Sequence, residues 1–235
     1  MAISNPSESS RPGIITSALF QGWEKFLRVL PHFDGSAALL IRLILAPVMI
    51  AAGCEKMHGE NWFHSALDTF PFPFNVLPAE VSWNLAMWTE FVGGICLLLG
   101  LGTRIFAIAL AVTMFVAAWS VHLPNGWAAV APSQPPAVCV PESAEYAAGN
   151  AWEHYVHCYN VNERTLEAAK RLQKAKEILR READFSYVNG MGPLVKLNNG
   201  IEFATMYFAM LLALLFIGGG RYVSADWWLA RFRKG

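Results

Sequence analysis

The sequence predicts an all-α integral membrane protein. Its core is an antiparallel bundle of four transmembrane helices, preceded by an interfacial helix. A long extracytoplasmic helical insertion separates the third helix from the fourth. Three observations predict this class. Four stretches, residues 37–54, 81–101, 105–121 and 201–218, are nearly free of charge over roughly the ~17–25 residues that span a bilayer. The third is bracketed by Arg104 and Trp119, side chains that anchor helix ends at the membrane surface. The basic residues of the short flanks also fall on one side: Arg11, Lys25 and Arg28 before the bundle, Arg104 in the turn between helices two and three, and Arg221, Arg231, Arg233 and Lys234 after it. Under the positive-inside rule both termini are cytoplasmic, with Lys56 the one short-loop basic residue on the opposite side.

Taken in order, residues 1–36 read as a tail and an interfacial helix. The tail, Met1–Gly13, is rich in Ser and Pro and is expected to be disordered. Residues 14–30 place Ile15, Ala18, Leu19, Trp23, Phe26, Leu27 and Leu30 on one stripe, with Lys25 and Arg28 opposite. That pattern suits a helix lying on the membrane face or packed on the bundle. About 35 polar or amphipathic residues precede the first apolar run, so no cleavable signal peptide is expected. Residues 37–235 are then one membrane domain. Its first outward loop carries Trp62, Phe63, Phe70, Phe72 and Phe74 among prolines, suggesting a segment folded over the bundle mouth. Residues 99–104, Leu-Gly-Leu-Gly-Thr-Arg, form a tight turn.

The insertion, residues 123–199, is expected to face outward. It opens on a Pro-rich stretch and continues into a charged helix at 162–184, whose narrow seam is Ala168, Leu172, Ala175 and Leu179. Glu167–Arg171 and Glu177–Arg181 have the spacing of helical ion pairs. The seam docks either on this chain or on a partner protein. Cys139 and Cys158 both fall in the insertion, and in an oxidising compartment they are expected to form a disulfide.

Charged residues inside the apolar runs are the functional signal, because each costs about 2.5–3.5 kcal/mol near a bilayer centre and so faces a partner or a wet cavity. Arg42 and Glu90 are placed within one or two turns of each other in depth, either as an ion pair fixing helix register or as parts of a polar cavity. Lys56, His122 and Glu202 lie at the outward ends of three helices. The reading adopted is an outward-facing cavity in which Glu90 and His122 exchange protons while Arg42, Lys56 and Glu202 bind a ligand. His154, His157 and Cys158 share a helical face but supply three donors with no fourth, so no metal site is assigned. Zero formal charge without a basic stripe excludes nucleic-acid binding, and no phosphate loop or dinucleotide fingerprint is present. Transport would need a continuous polar path, and only Arg42 and Glu90 lie deep.

Arg42, Gly53-x-x-Lys56, Glu90-x-x-Gly93-Gly94, Gly100-x-Gly102-Thr103-Arg104 and His122 together resemble the DoxX family, over residues 39–123 and more loosely over 201–221. The insertion departs from the short loop expected there. The resemblance implies a four-helix protein of the bacterial inner membrane. Related DoxD proteins are linked to thiosulfate:quinone oxidoreductase, and others to redox complexes. It therefore implies a redox-linked subunit that binds a quinone or a small sulfur species. The alternative is a membrane scaffold that docks a partner protein through 123–199. The sequence names no definite cofactor and leaves homo-oligomerisation open.

Overall fold

The apolar runs fold into helices: the first, Asp34–His58, extends past its charge-free run at both ends, while the fourth, Glu202–Ile217, stays inside its run. The computed structural model describes residues 14–29 and 33–233. Its principal helices are α1 (Ile14–Val29), α2 (Asp34–His58), α3 (Ala79–Leu99) and α4 (Thr103–Ala117). In the insertion stand α5 (Ala144–Ala148), α6 (Ala151–Cys158), α7 (Glu163–Glu182) and α8 (Phe185–Val188). The chain ends with α9 (Glu202–Ile217) and α10 (Ala225–Phe232). The expected disorder of Met1–Gly13 lies outside the described residues. Trp23, Phe26 and Leu27 of α1 are exposed.

Among the described residues, three helical stretches are long and apolar enough to cross a membrane: Gly35–His58, Ala79–Leu99 and Thr103–Asn125. The last is α4 continued through a π-turn at Ala118–His122 and a 3₁₀ turn at Leu123–Asn125. At 16 residues, α9 is as apolar but shorter. Helix α2 packs on α3, α3 on α4, α4 on α9, and α9 touches α2. Leu45, Ala46 and Met49 meet Leu97, Leu110, Leu211 and Leu214 in the shared core. The exposed faces are apolar too, with Leu40, Ile105 and Phe115 among them, the pattern of helices solvated by lipid.

The Leu99–Arg104 turn uses both its glycines at positive φ, +68° at Gly100 and +59° at Gly102, where a Cβ would be strained. Asp226 caps the start of α4, accepting hydrogen bonds from the backbone N–H groups of Gly102 (2.6 Å) and Thr103 (2.8 Å).

The insertion returns to its starting point through a two-stranded antiparallel ribbon, β1 (Val130–Ala131) with β2 (Lys196–Leu197). The Asn198 side chain donates to the carbonyls of Asn125 and Ala128, closing the base. Helix α7 is capped by Asn162 and docks by its first half, where Thr165, Ala168, Ala169 and Leu172 are buried. The expected seam is corrected at Ala175, which is exposed, because β1 and β2 are too short to cover a second half. The structure places Cys139 and Cys158 at bonding distance, Sγ–Sγ 2.05 Å, tying α6 to the Ala137–Cys139 turn. Cys139→Ser is expected to lower the stability of the insertion by about 3 kcal/mol through restored loop entropy. Limited proteolysis with and without reductant checks this, with cleavage confined to the insertion.

Candidate functional site

Lys56 occupies the last turn of α2 and Glu90 the middle of α3. Lys56 Nζ donates to Glu90 Oε2 at 2.6 Å, with the two side chains 18% and 4% exposed. The approach of their helices explains the pair. A Cβ on Gly53 would meet Phe91 N at 2.6 Å, and one on Gly94 would meet Ile50 N at 2.9 Å. Gly53 lies one turn before Lys56 and Gly94 one turn after Glu90, on the same helix faces. The glycines therefore let α2 and α3 close at the level that joins the two charges.

The pair forms part of the wall of a cavity of about 600 Å³. Its other walls are largely apolar: Val48, Met49 and Ala52 of α2, Ala86 of α3, Val116 and Ala117 of α4, and Ala204 of α9. Ser82, Thr89, Thr113 and Tyr207 add single hydroxyls. The aromatic loop forms much of the roof. Phe63 stands edge-on to Phe70 (4.8 Å between ring centres) and to Trp83 (5.0 Å), an arrangement favoured by the ring quadrupoles. Phe72, grouped with these aromatics in the sequence, is instead 81% exposed. Across the cavity from α2, His122 holds its Nδ1 2.9 Å from the Asn199 carbonyl oxygen. With Nδ1–H donating there, Nε2 of the neutral ring is an acceptor.

Two expected members lie elsewhere. Arg42 does not approach Glu90. Its guanidinium donates to the carbonyls of Leu97 (2.5 Å), Leu98 (2.7 Å), Gly219 (2.7 Å) and Val223 (3.1 Å) at the opposite end of the bundle. The last carbonyls of a helix lack intrahelical donors and carry the negative end of its dipole, so they draw the long arginine away from the centre. Glu202 is absent from the cavity lining, and its Oε2 accepts from Ala129 N–H at 3.0 Å. It pins the insertion to the start of α9. His154 packs edge-on to Tyr146 at 4.8 Å, and no cluster of three His, Cys, Asp or Glu fit to hold a metal occurs among the described residues. Arg104 donates to the Phe216 carbonyl at 3.1 Å, fastening α4 to α9.

Sequence reasoning missed the partnership of Lys56 with Glu90, although the spacings Gly53–Lys56 and Glu90–Gly94 mark one face on each helix. Asp226 and Tyr207 carry no local signal, since each gains its role from residues remote in the chain.

Residues 37–123 match the DoxX family model. This segment is a DoxX domain. An uncharacterized protein of Haemophilus influenzae is 39% identical over 94 residues, which are 40% of this chain and 62% of that relative. The match thus spans less than two thirds of the relative's length. No solved structure matches. The DoxX segment supplies α2, α3, α4, the aromatic loop and the charged pair, while Ala129, Asn199 and Tyr207 reach the cavity from outside it.

Proposed function

We propose that this protein is a redox-linked membrane subunit whose cavity binds a quinone headgroup. The observation that carries the reading is the Lys56–Glu90 pair set in the wall of an otherwise largely apolar cavity of about 600 Å³, within the size range of small-molecule sites. A quinone carbonyl accepts a hydrogen bond, and the Lys56 ammonium is placed to donate one. Glu90 and His122 are the groups able to exchange the protons that accompany reduction. A small sulfur oxyanion would also meet Lys56, but the apolar walls offer it little. In this reading Arg42 and Glu202 hold the scaffold and do not touch the ligand.

The topology that fits this reading has four crossings. Helix α9, at 16 residues, is about 24 Å long and serves as the fourth. Both termini then lie on the cytoplasmic side with Arg104, Arg221 and Arg231, and the cavity roof and disulfide face outward. Reporter fusions after residue 60 and at the C-terminus should report opposite sides; a shared side would exclude four crossings.

Mass spectrometry of small molecules extracted from gently purified protein tests the binding reading. Wild type is expected to carry a stoichiometric quinone, and Glu90→Gln to lose it while the bundle stays folded. Wild type free of any quinone after purification from a quinone-containing membrane would defeat the proposal.

A second reading, a scaffold that docks a partner protein through residues 123–199, is favoured by the exposure of Trp152, Tyr155 and Tyr187 on the insertion. Trp152→Ser with Tyr155→Ser should then remove a co-purifying partner. An unchanged pull-down speaks against it.

A further inference from the structure

The walls of the cavity are not all interior. Helix α3 turns Val81, Leu85, Trp88 and Val92 outward, and α4 turns Ile105, Ile108, Val112, Phe115 and Trp119 outward. On membrane-spanning helices these stripes face lipid. Leu85 and Val112 belong to the stripes, 50% and 43% exposed, and they also line the cavity. A side chain that touches both the outside and the cavity marks a mouth, and these two stand on either side of the α3–α4 seam.

The packing explains why the seam opens there. Helices α3 and α4 meet closely at Gly93, whose Cβ position lies 3.1 Å from Leu110 Cδ1. Towards the cavity end, Thr89 on α3 and Thr113 on α4 are small side chains that line empty space. The Thr113 hydroxyl donates back to the Ala109 carbonyl of its own helix at 3.2 Å, so it makes no bridge to α3. Above the gap, Phe63 and Phe70 pack with Ala86 and Val116 and close it. The gap is thus bounded below by Gly93–Leu110 and above by the aromatic cluster, at bilayer depth.

We propose that the cavity takes its ligand sideways from the bilayer, between Leu85 and Val112, and that the ligand is a lipid-soluble molecule with a hydrocarbon tail. The ligand class rests on the quinone-headgroup reading above; the mouth does not. The head reaches the Lys56–Glu90 pair, and the tail leaves between α3 and α4 into lipid. A water-borne ligand would instead enter by the roof, where Trp62, Leu197, Asn199 and Phe203 are the other exposed lining residues.

The test places the whole protein in nanodiscs with a small lipid-partitioned aryl diazirine. After illumination, labelled peptides are read by mass spectrometry. Label is expected at the cavity-wall residues Ala52, Ala86 and Tyr207 as well as at the outer residues Ile95 and Ile108. Val112→Trp and, separately, Leu85→Trp should lower the wall label severalfold and leave the outer label unchanged, which also reports that each variant is folded. Wall residues unlabelled in wild type, or labelled in both variants as strongly as in wild type, would overturn the mouth. A decyl-tailed benzoquinone should displace the wall label at about tenfold lower concentration than the same headgroup without its tail, because tail methylenes leave water. Equal displacement by the two would overturn the tailed ligand class. A wall label that both plugs remove but neither quinone displaces would leave the mouth standing and defeat the quinone reading.

Discussion

Arg42→Met will lower the stability of the bundle by about 3–5 kcal/mol, because it takes a charged donor from several buried carbonyls at once. Arg42 is 1% exposed and ties together three separate parts of the chain: the end of α3 at Leu97 and Leu98, the turn at Gly219, and Val223 ahead of α10. Methionine fills similar volume but takes the guanidinium donor from the Leu98, Gly219 and Val223 carbonyls and leaves Leu97 only its bond from Gly100 N–H; a buried acceptor left unmade costs about 1–3 kcal/mol. Arg42→Lys should recover only part of the loss, since an ammonium lacks the planar fork that reaches several carbonyls. Thermal unfolding in detergent followed by circular dichroism gives the ranking wild type, Lys, Met. A methionine variant as stable as wild type would remove Arg42 from its structural role. Because Arg42 lies at the far end from the cavity, any folded fraction of these variants should retain ligand.

Gly94→Val will have the second large effect and will act on both stability and the site. The new Cβ would stand 2.9 Å from Ile50 N and 3.1 Å from the Ala46 carbonyl oxygen. Backbone cannot swing aside as a side chain can, so α2 and α3 must part along their length. The expected loss is about 3 kcal/mol, the upper end for overpacking a filled core. Parting the helices also separates Lys56 from Glu90, one turn away, so ligand retention should fall in the same variant. Gly93→Ala provides the control. Its Cβ comes nearest to the Leu110 side chain, 3.1 Å from Cδ1 and Cγ, with no backbone atom as near, so its loss should be about 1 kcal/mol with ligand kept. Equal losses in the two variants would mean that the α2–α3 crossing does not govern the site.

The two predictions separate what could be read along the chain from what could not. The apolar runs, the glycine turn, the charged helix of the insertion and the pairing of Cys139 with Cys158 follow from local rules of hydropathy, conformation and compartment chemistry. The α7 ion pairs were legible too, with Arg171 Nε 2.8 Å from Glu167 Oε1, because their geometry is set within one turn of helix. The Glu167 carboxyl accordingly sits below its ordinary range, held there first by its hydrogen bond to Arg171 and then by that guanidinium's charge. Such a pair persists above the unfolded carboxylate pKa and is lost as pH falls through the depressed one.

Arg42 and Glu90 show where this reading stops. Rise per residue puts the two at matched depth, yet an arginine side chain spans more than a turn of helix and settles among the carbonyls at a helix end. Those acceptors belong to Leu97 and Leu98 and to the segment after α9, and nothing near position 42 announces them. Glu202 was read as a cavity residue from its place at a helix end, but the backbone N–H of Ala129, brought alongside by the returning insertion, takes its carboxylate instead. Lys56 looked like an exception to the charge rule and becomes the partner of Glu90 once Gly53 and Gly94 let their helices touch. Hydropathy and spacing along the chain mark the long apolar helices, the charged helix of the insertion and the ionisable groups inside the apolar runs, but not the short helices α5, α8 and α10. The partners of those groups depend on helix approach and side-chain reach, and both are set by contacts between residues far apart in the chain.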